Sequence, residues 1–133
     1  MARILVIDDE KLARLTLRKI LESAGHTVIE ATNGAEGIAM FRANHCDLVI
    51  TDIIMPDKEG IETIIELKRD FVDLRLIAIS GGGRTRNLDF LKLAKLRGAD
   101  KVLAKPFSRS EITNAVAEVL SAPARSVARR KAP

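Results

Sequence analysis

The chain has few of the features that would assign it to a specialised class of protein. It has one cysteine, no tryptophan, no tyrosine and four phenylalanines among 133 residues. The single Cys46 excludes a disulfide within the chain, and we therefore expect a cytoplasmic protein. No apolar run approaches the roughly 20 residues of a membrane-spanning helix, and no signal peptide is visible. With 47% hydrophobic residues, the chain is typical of one globular domain with its own core.

The body of the chain also lacks a net charge, although the whole sequence carries a formal charge of +4. The excess lies in residues 122–133, which contain four basic side chains and no acid, against 18 acidic residues and an equal number of basic ones before them. A nucleic-acid-binding patch belongs on a folded face, so we do not expect direct nucleic-acid binding. We expect residues 1–121 to form the domain and residues 122–133 a disordered basic tail.

Strand-like and helix-like segments alternate five times along the chain. The strand-like apolar runs lie at residues 3–8, 27–31, 48–51, 74–80 and 101–104. This alternation predicts an α/β fold, a (βα)5 doubly wound domain with a parallel five-stranded sheet. The flavodoxin-like strand order 2-1-3-4-5 is the one we favour, because right-handed crossovers leave few topologies open.

The segments between and after these strands have helical periodicity. Asn33 is expected to cap the second helix and Ser108 the last, while Gly25 and Gly98 end the first and fourth. The apolar residues that mark the helices are Leu12, Leu15, Ile20 and Leu21; Ile38, Met40 and Phe41; Ile61, Ile64, Ile65 and Leu67; Leu88, Leu91, Leu93 and Leu96; and Ile112, Val116, Val119 and Leu120.

Polar residues stand at the ends of four of the apolar runs. Asp8 and Asp9 end the first, Asp52 the third, Ser80 the fourth and Lys105 the fifth. All strands of a parallel sheet point the same way, so these residues should meet at its carboxyl edge, where open α/β sheets bind their ligands.

Three carboxylates at one edge need a positive partner. Two carboxylates about 4 Å apart repel each other by roughly 4 kcal/mol at an effective dielectric near 20. Oxygen ligands of this kind favour Mg²⁺. Lys105 and Ser80 can bind phosphoryl oxygens, and the glycines from Gly81 onward let backbone N–H groups approach an anion. Asp52, alone at its strand end, is the candidate nucleophile that would form an aspartyl phosphate.

Four motifs in this order resemble the receiver domain of two-component response regulators, in its stand-alone, chemotaxis-type form. They are ILVIDDE at residues 4–10, DLVITDIIMP at 47–56, ISG at 79–81, and GAD at 98–100 followed by KPF at 105–107. The resemblance covers about residues 2–121. It is specific because all four motifs occur at matching spacing.

The resemblance implies a mechanism for the predicted site. Asp52 would take a phosphoryl group from a phosphohistidine on a sensor histidine kinase or phosphotransfer protein, and this would switch binding to a downstream target. Asp9 and Asp52 would ligate Mg²⁺ directly, Asp8 mostly through water, and the Ile54 carbonyl would complete the set. Lys105, Ser80, Gly81 and Ile54 would surround the phosphoryl group, and the bond from Lys105 to Pro106 would be cis. Beyond self-phosphorylation and slow autodephosphorylation, no enzyme activity is implied.

Three positions depart from the family pattern. Val102 replaces the aromatic residue that often acts as a switch, Ile54 lies where a polar residue often places the hydrolytic water, and Gly82 lies two residues after Ser80.

Other functions remain open from the residues. The chain can be the receiver part of a larger DNA-binding regulator. A haloacid-dehalogenase-like phosphatase also uses an aspartate nucleophile and Mg²⁺, but that family has Asp-x-Asp after the first strand, whereas Asp8 and Asp9 are adjacent. A flavin carrier would need a Ser/Thr/Gly-rich phosphate loop after that strand, which the sequence does not have there.

Overall fold

Five parallel strands form the centre of the fold, in the predicted order β2-β1-β3-β4-β5. The computed structural model describes residues 1–53, 60–80 and 92–122. No helix in these ranges is long and apolar enough to cross a membrane. The strands are β1 (Arg3–Ile7), β2 (Thr27–Ala31), β3 (Leu48–Asp52), β4 (Leu76–Ser80) and β5 (Lys101–Ala104). The helices are α1 (Lys11–Ser23), α2 (Gly34–Ala43), α3 (Gly60–Asp70), α4 (described at residues 92–96) and α5 (Arg109–Ser121).

The central strands β1, β3 and β4 are buried on both faces, as their continuous apolar runs predict. Because side chains alternate between the faces of a strand, β1 sends Ile4 and Val6 to one side and Leu5 and Ile7 to the other. The first pair packs with residues of α1 and α5, and the second with residues of α2, α3 and α4. The two helical layers therefore cover the two faces of the sheet.

The predicted strand boundaries are confirmed to within two residues. β1 ends at Ile7 rather than at residue 8, and β4 begins at Leu76 rather than at residue 74. Leu74 lies outside β4 because its N–H donates to the Phe71 carbonyl and so closes a turn after α3. Side-chain caps occur at both predicted positions: Asn33 accepts from the Glu36 N–H at 2.8 Å, and Ser108 forms a reciprocal capping box with Glu111.

Four of the apolar residues that mark the helices in the sequence lie outside the core: Leu12 and Leu15 of α1, Ile65 of α3 and Leu96 of α4. Leu12 is 77% exposed, Leu15 40% and Leu96 82%. The buried residues of α1 are Leu17, Ile20 and Leu21. Their helical spacing, extended back by one turn, reaches Ala13 and Arg14, which are both half-buried. The inward face of α1 therefore includes an arginine.

Gly60, the first residue of α3, lies directly against the end of β3. A Cβ atom at Gly60 would lie 2.1 Å from the Ile53 Cα and 2.4 Å from the Asp52 carbonyl oxygen. A Cβ atom at Gly37 would instead meet the end of a side chain, the Ile7 Cδ1, at 2.3 Å. Backbone yields less readily than the end of a side chain, so the approach of α3 to Asp52 requires glycine.

Gly60→Ala is expected to lower the free energy of unfolding by about 3 kcal/mol, at the upper end of ordinary overpacking costs. Gly37→Ala is the matched control, with a smaller loss because Ile7 can change its rotamer. Urea unfolding followed by circular dichroism measures both. Equal losses would contradict the close approach at Gly60.

His26 connects the end of α1 to the start of β1. Its Nδ1 accepts a hydrogen bond from the Ala2 N–H at 3.1 Å. Burial, and to a lesser degree the positive amino terminus, lowers the pKa of His26 below its ordinary value of 6.5. The lowered pKa favours the neutral imidazole, whose Nδ1 can accept this bond.

The free energy of unfolding should include a contribution from His26 that is complete above pH 6.5 and decreases as the pH falls below it. The sign follows because the unfolded chain, with the higher pKa, binds the proton first on acidification. Urea unfolding of wild type and His26→Gln at about pH 7.5 and about pH 5.5 tests this around the ordinary histidine pKa. Wild type should lose more stability than the variant, and parallel losses would refute the prediction.

Candidate functional site

Backbone hydrogen bonds extend the sheet by one residue at its carboxyl edge. The N–H of Asp8 donates to the Ala31 carbonyl at 3.1 Å, and the N–H of Lys105 donates to the Ser80 carbonyl at 2.7 Å. Between them, the N–H of Ile53 donates to the carbonyl of Ile79 in β4 at 2.9 Å. These hydrogen bonds hold the backbone of Asp8 and Lys105, and of the residue that follows Asp52, at the edge of the sheet.

Three carboxylates meet at this edge, as the strand ends predict. Each of Asp8, Asp9 and Asp52 offers one oxygen, and these oxygens all lie within 4.8 Å of one another. Asp8 is fully buried, Asp52 is 4% exposed, and Asp9 is exposed. The Asp8 carboxylate also accepts from the Glu10 N–H at 2.9 Å. Asp9 therefore faces solvent above two acids that are held inside the protein.

Lys105 lies among these acids. Its Nζ is 3.0 Å from Asp8 Oδ2, 3.4 Å from Asp52 Oδ2 and 3.4 Å from Glu10 Oε1. Burial lowers the pKa of the Lys105 ammonium, but the charges of Asp52, Asp8 and Glu10 outweigh burial and leave the pKa above its ordinary value. One ammonium faces four carboxylates here, counting Asp9, so Lys105 does not balance their charge by itself.

The donor set of the cluster fits a hard divalent cation. It consists of carboxylate oxygens, it has a net negative charge, and Asp9 presents its oxygens to solvent. Mg²⁺ prefers such oxygen ligands and keeps part of its water shell. The three acids could therefore hold a hard divalent cation at this edge of the sheet.

Of the remaining predicted site residues, Ser80 is among the described residues, whereas Ile54 and Gly81 are not. Ser80 is fully buried at the end of β4, with Ala104 beside it on β5. Gly82 also lies outside the described residues. The peptide bond from Lys105 to Pro106 is cis, as the resemblance implies. Val102 is half-buried and packs against the core on the α2–α4 side of the sheet.

Sequence reasoning missed the contributions of Glu10, Arg14 and Gly60. Glu10 is a third partner of Lys105, and its position directly after the acid pair was a usable signal. Arg14 donates from Nη1 to the Asp8 carbonyl at 2.8 Å, one helical turn after Glu10. Nothing local in the sequence marks Gly60 as the residue that packs against the end of β3.

Comparison with known proteins identifies the family of this fold and site. The family model for the response regulator receiver domain matches residues 4–117. The chain belongs to the response regulator receiver family. The chemotaxis protein CheY of Halobacterium salinarum is 34% identical over 120 residues, which cover 90% of this chain and 98% of CheY.

Solved structures agree with this assignment. A response regulator receiver domain protein from Clostridium thermocellum is 33% identical, with a TM-score of 0.82 over 90% of this chain and 94% of that one. The response regulator TrrA of Thermotoga maritima, solved in complex with Mg²⁺-BeF, is 31% identical, with a TM-score of 0.80 over 90% of this chain and 99% of TrrA. Membership of the receiver family favours a role in two-component signalling over the phosphatase and flavin alternatives.

Proposed function

We propose that this receiver domain accepts a phosphoryl group on Asp52 and thereby switches its binding to a downstream partner. The observation that carries the proposal is the environment of the Asp52 carboxylate. It is almost completely buried at the end of β3, in reach of the oxygens of two further acids, with the Lys105 Nζ 3.4 Å away. Such a combination concentrates negative charge around one nucleophile and supplies a cation for the incoming group.

The proposed donor is a phosphohistidine on a sensor histidine kinase or a histidine phosphotransfer protein. An Asp52 carboxylate oxygen attacks the phosphorus and forms a P–O bond, while the P–N bond breaks and its electron pair stays on the imidazole nitrogen. The product is a mixed anhydride on Asp52. This transfer needs mainly positioning and neutralisation of charge, and the strand-end geometry supplies the positioning.

Residues of this chain would hold Mg²⁺ at the acid cluster. Asp9 and Asp52 would be the direct carboxylate ligands, Asp8 would act mostly through water, and the Ile54 carbonyl would complete the protein ligands. When bound, the ion supplies positive charge against the three carboxylates and the phosphoryl oxygens. The complex of TrrA with Mg²⁺-BeF supports this proposal by similarity.

Lys105 and Ser80, with the backbone of Gly81 and the neighbouring Ile54, would surround the phosphoryl oxygens. Before transfer, Lys105 is bridged to Asp8, Glu10 and Asp52. After transfer, its ammonium would be shared between these acids and the phosphoryl group. Because Val102 is not aromatic, the change at the site would be transmitted without a swinging ring at this position.

The domain would therefore act as a signalling module rather than as an enzyme with a diffusible substrate. Self-phosphorylation from small phosphodonors and slow autodephosphorylation are the reactions we assign to it. We place it in the cytoplasm, on the basis of its single cysteine.

We assign residues 1–121 to the receiver and residues 122–133 to a basic tail, without direct binding to nucleic acid or membrane.

The test is phosphorylation of the wild-type protein by acetyl phosphate or phosphoramidate, with and without Mg²⁺. Intact-mass spectrometry should show the gain of one phosphoryl group in the presence of Mg²⁺ and little gain when the metal is chelated. The same samples should release no phosphate from a soluble phosphate monoester. Multiple turnover of the monoester would favour the phosphatase alternative, and the absence of any mass gain would refute the proposal.

A further inference from the structure

Arg14 joins the inward face of α1 to the loop that carries the acid pair. Its side chain is only 13% exposed. Nη1 donates to the Asp8 carbonyl at 2.8 Å, and Nε donates to Glu30 Oε1 on β2 at 3.0 Å. The planar guanidinium has several donors in a fixed fork, so it can hold both acceptors at once. Arg14 therefore ties three separate elements together beside the candidate site.

The hydrogen bond to the Asp8 carbonyl orients the peptide group that carries Asp9. A peptide unit is planar, so the Asp8 carbonyl shares a plane with the N and Cα atoms of Asp9. The preceding peptide is held as well, because the Asp8 N–H donates to the Ala31 carbonyl at 3.1 Å. At the end of β1, β2 thus holds the peptide before Asp8, and α1 holds the peptide after it.

Asp9 depends on this backbone support more than its neighbours do. Its side chain is exposed, and within residues 1–53, 60–80 and 92–122 no hydrogen-bond donor contacts its carboxylate. The Asp8 carboxylate, by contrast, is held by Lys105 and by the Glu10 N–H. The peptide that Arg14 holds therefore fixes the N–Cα bond from which the Asp9 side chain projects.

We propose that Arg14 is a positioning residue for the metal site: by holding the Asp8 carbonyl, it presents the Asp9 carboxylate to Mg²⁺. This inference rests on the proposed function, since it assigns Asp9 as a metal ligand. Arg14 itself does not contact the ion or the phosphoryl group. Glu30 acts one step further away, because it fixes the guanidinium from β2.

Arg18 is a matched control on the same helix. Its Nη1 pairs with the other carboxylate oxygen of Glu30 at 2.8 Å, and its Nη2 donates to a backbone carbonyl of β2, that of Val28, at 2.8 Å. It thus shares the partner and the bond types of Arg14 but holds β2 instead of the Asp8–Asp9 peptide. Loss of either arginine removes a charge and a backbone bond, and only loss of Arg14 releases the metal-binding loop.

The experiment compares Arg14→Gln and Arg18→Gln with wild type by Mg²⁺ titration, followed through backbone amide shifts in ¹⁵N NMR spectra. This readout suits a chain without tryptophan or tyrosine. The Kd for Mg²⁺ should rise about tenfold in Arg14→Gln and less than about twofold in Arg18→Gln, in line with the loss of groups that orient a metal ligand. Thermal melting without metal should show similar losses of stability in both variants.

Four outcomes can be told apart. Equal Kd values for the two variants would overturn the role of Arg14, as would a loss of Mg²⁺ affinity that follows the melting temperature in both. If Arg14→Gln does not fold, Arg14→Lys and Arg18→Lys replace the pair, since a lysine keeps the charge but cannot hold two acceptors with one fork; the same difference in Kd is then required. A wild type that does not bind Mg²⁺ would overturn the proposed metal site itself.

Discussion

Asp52→Asn is expected to abolish phosphorylation of the protein by small phosphodonors. The amide is not a nucleophile of comparable strength, and no mixed anhydride can form on it. Asp8 is close by, but its carboxylate is held by Lys105 at 3.0 Å and by the Glu10 N–H at 2.9 Å. Asp9 is exposed, but it is the proposed metal ligand. Neither should replace Asp52 as the acceptor, so the intact mass of the variant should stay unchanged with acetyl phosphate and Mg²⁺.

Loss of labelling should not come from unfolding. Asp52→Asn removes one of several mutually repelling carboxylates and leaves Lys105 paired with Asp8 and Glu10. The circular dichroism spectrum of the variant should therefore match wild type. Asp70→Asn, which changes an exposed aspartate of α3 paired with Arg42, is the control and should be labelled like wild type. Equal labelling of Asp52→Asn and wild type would refute the assignment of the acceptor.

Asp9→Asn is expected to weaken Mg²⁺ binding more than Asp8→Asn does. Asp9 is exposed and its carboxylate is available to an ion, whereas the Asp8 carboxylate already accepts from Lys105 and from the Glu10 N–H. Groups that act through another ligand typically change metal affinity by about 10- to 100-fold. We expect Asp8→Asn within that range and Asp9→Asn beyond it.

Thermal stability gives an independent measurement of the same difference. A ligand that binds only the folded state adds about 2.7 kcal/mol at a concentration of 100 Kd. Mg²⁺ should therefore raise the melting temperature of wild type strongly, that of Asp8→Asn partly, and that of Asp9→Asn hardly at all. Asp47→Asn, at the opposite end of β3, should respond like wild type. An Asp9→Asn variant that binds Mg²⁺ as tightly as wild type would show that the ligand roles are wrongly assigned.

The candidate site was more predictable than the orientation of individual helices. Asp8, Asp9, Asp52 and Lys105 could be placed together because strand direction in a parallel sheet determines which chain ends share an edge. On α1, by contrast, the local pattern of leucines indicated a face that includes Leu12 and Leu15, which are exposed. Amphipathic patterns define a broad stripe, and packing of the helix on the sheet decides which side of that stripe is buried.

Sequence patterns also did not predict the contacts that join distant segments of the chain. The exact partners of Lys105 depend on how far its side chain, after β5, extends toward the ends of β1 and β3. The Arg14–Glu30 pair joins α1 to β2, and its meaning for Asp9 appears only when the Asp8 carbonyl lies beside it. Position 60 likewise needs glycine because the backbone at the end of β3 lies against it. The residues around position 60 do not predict this contact.

The sequence by itself determined the α/β class, the strand order, the two capped helices and the edge at which the acids meet. The class, the caps and the edge follow from local periodicity, from capping chemistry and from the common direction of parallel strands, and the favoured strand order follows from right-handed crossovers, which leave few topologies open. Only the tertiary structure decided the inward face of α1, the three acid partners of Lys105, the support of Asp9 through Arg14 and the contact of Gly60 with β3. Each of these depends on distances of a few ångströms between segments far apart in the chain, and close packing in three dimensions sets those distances.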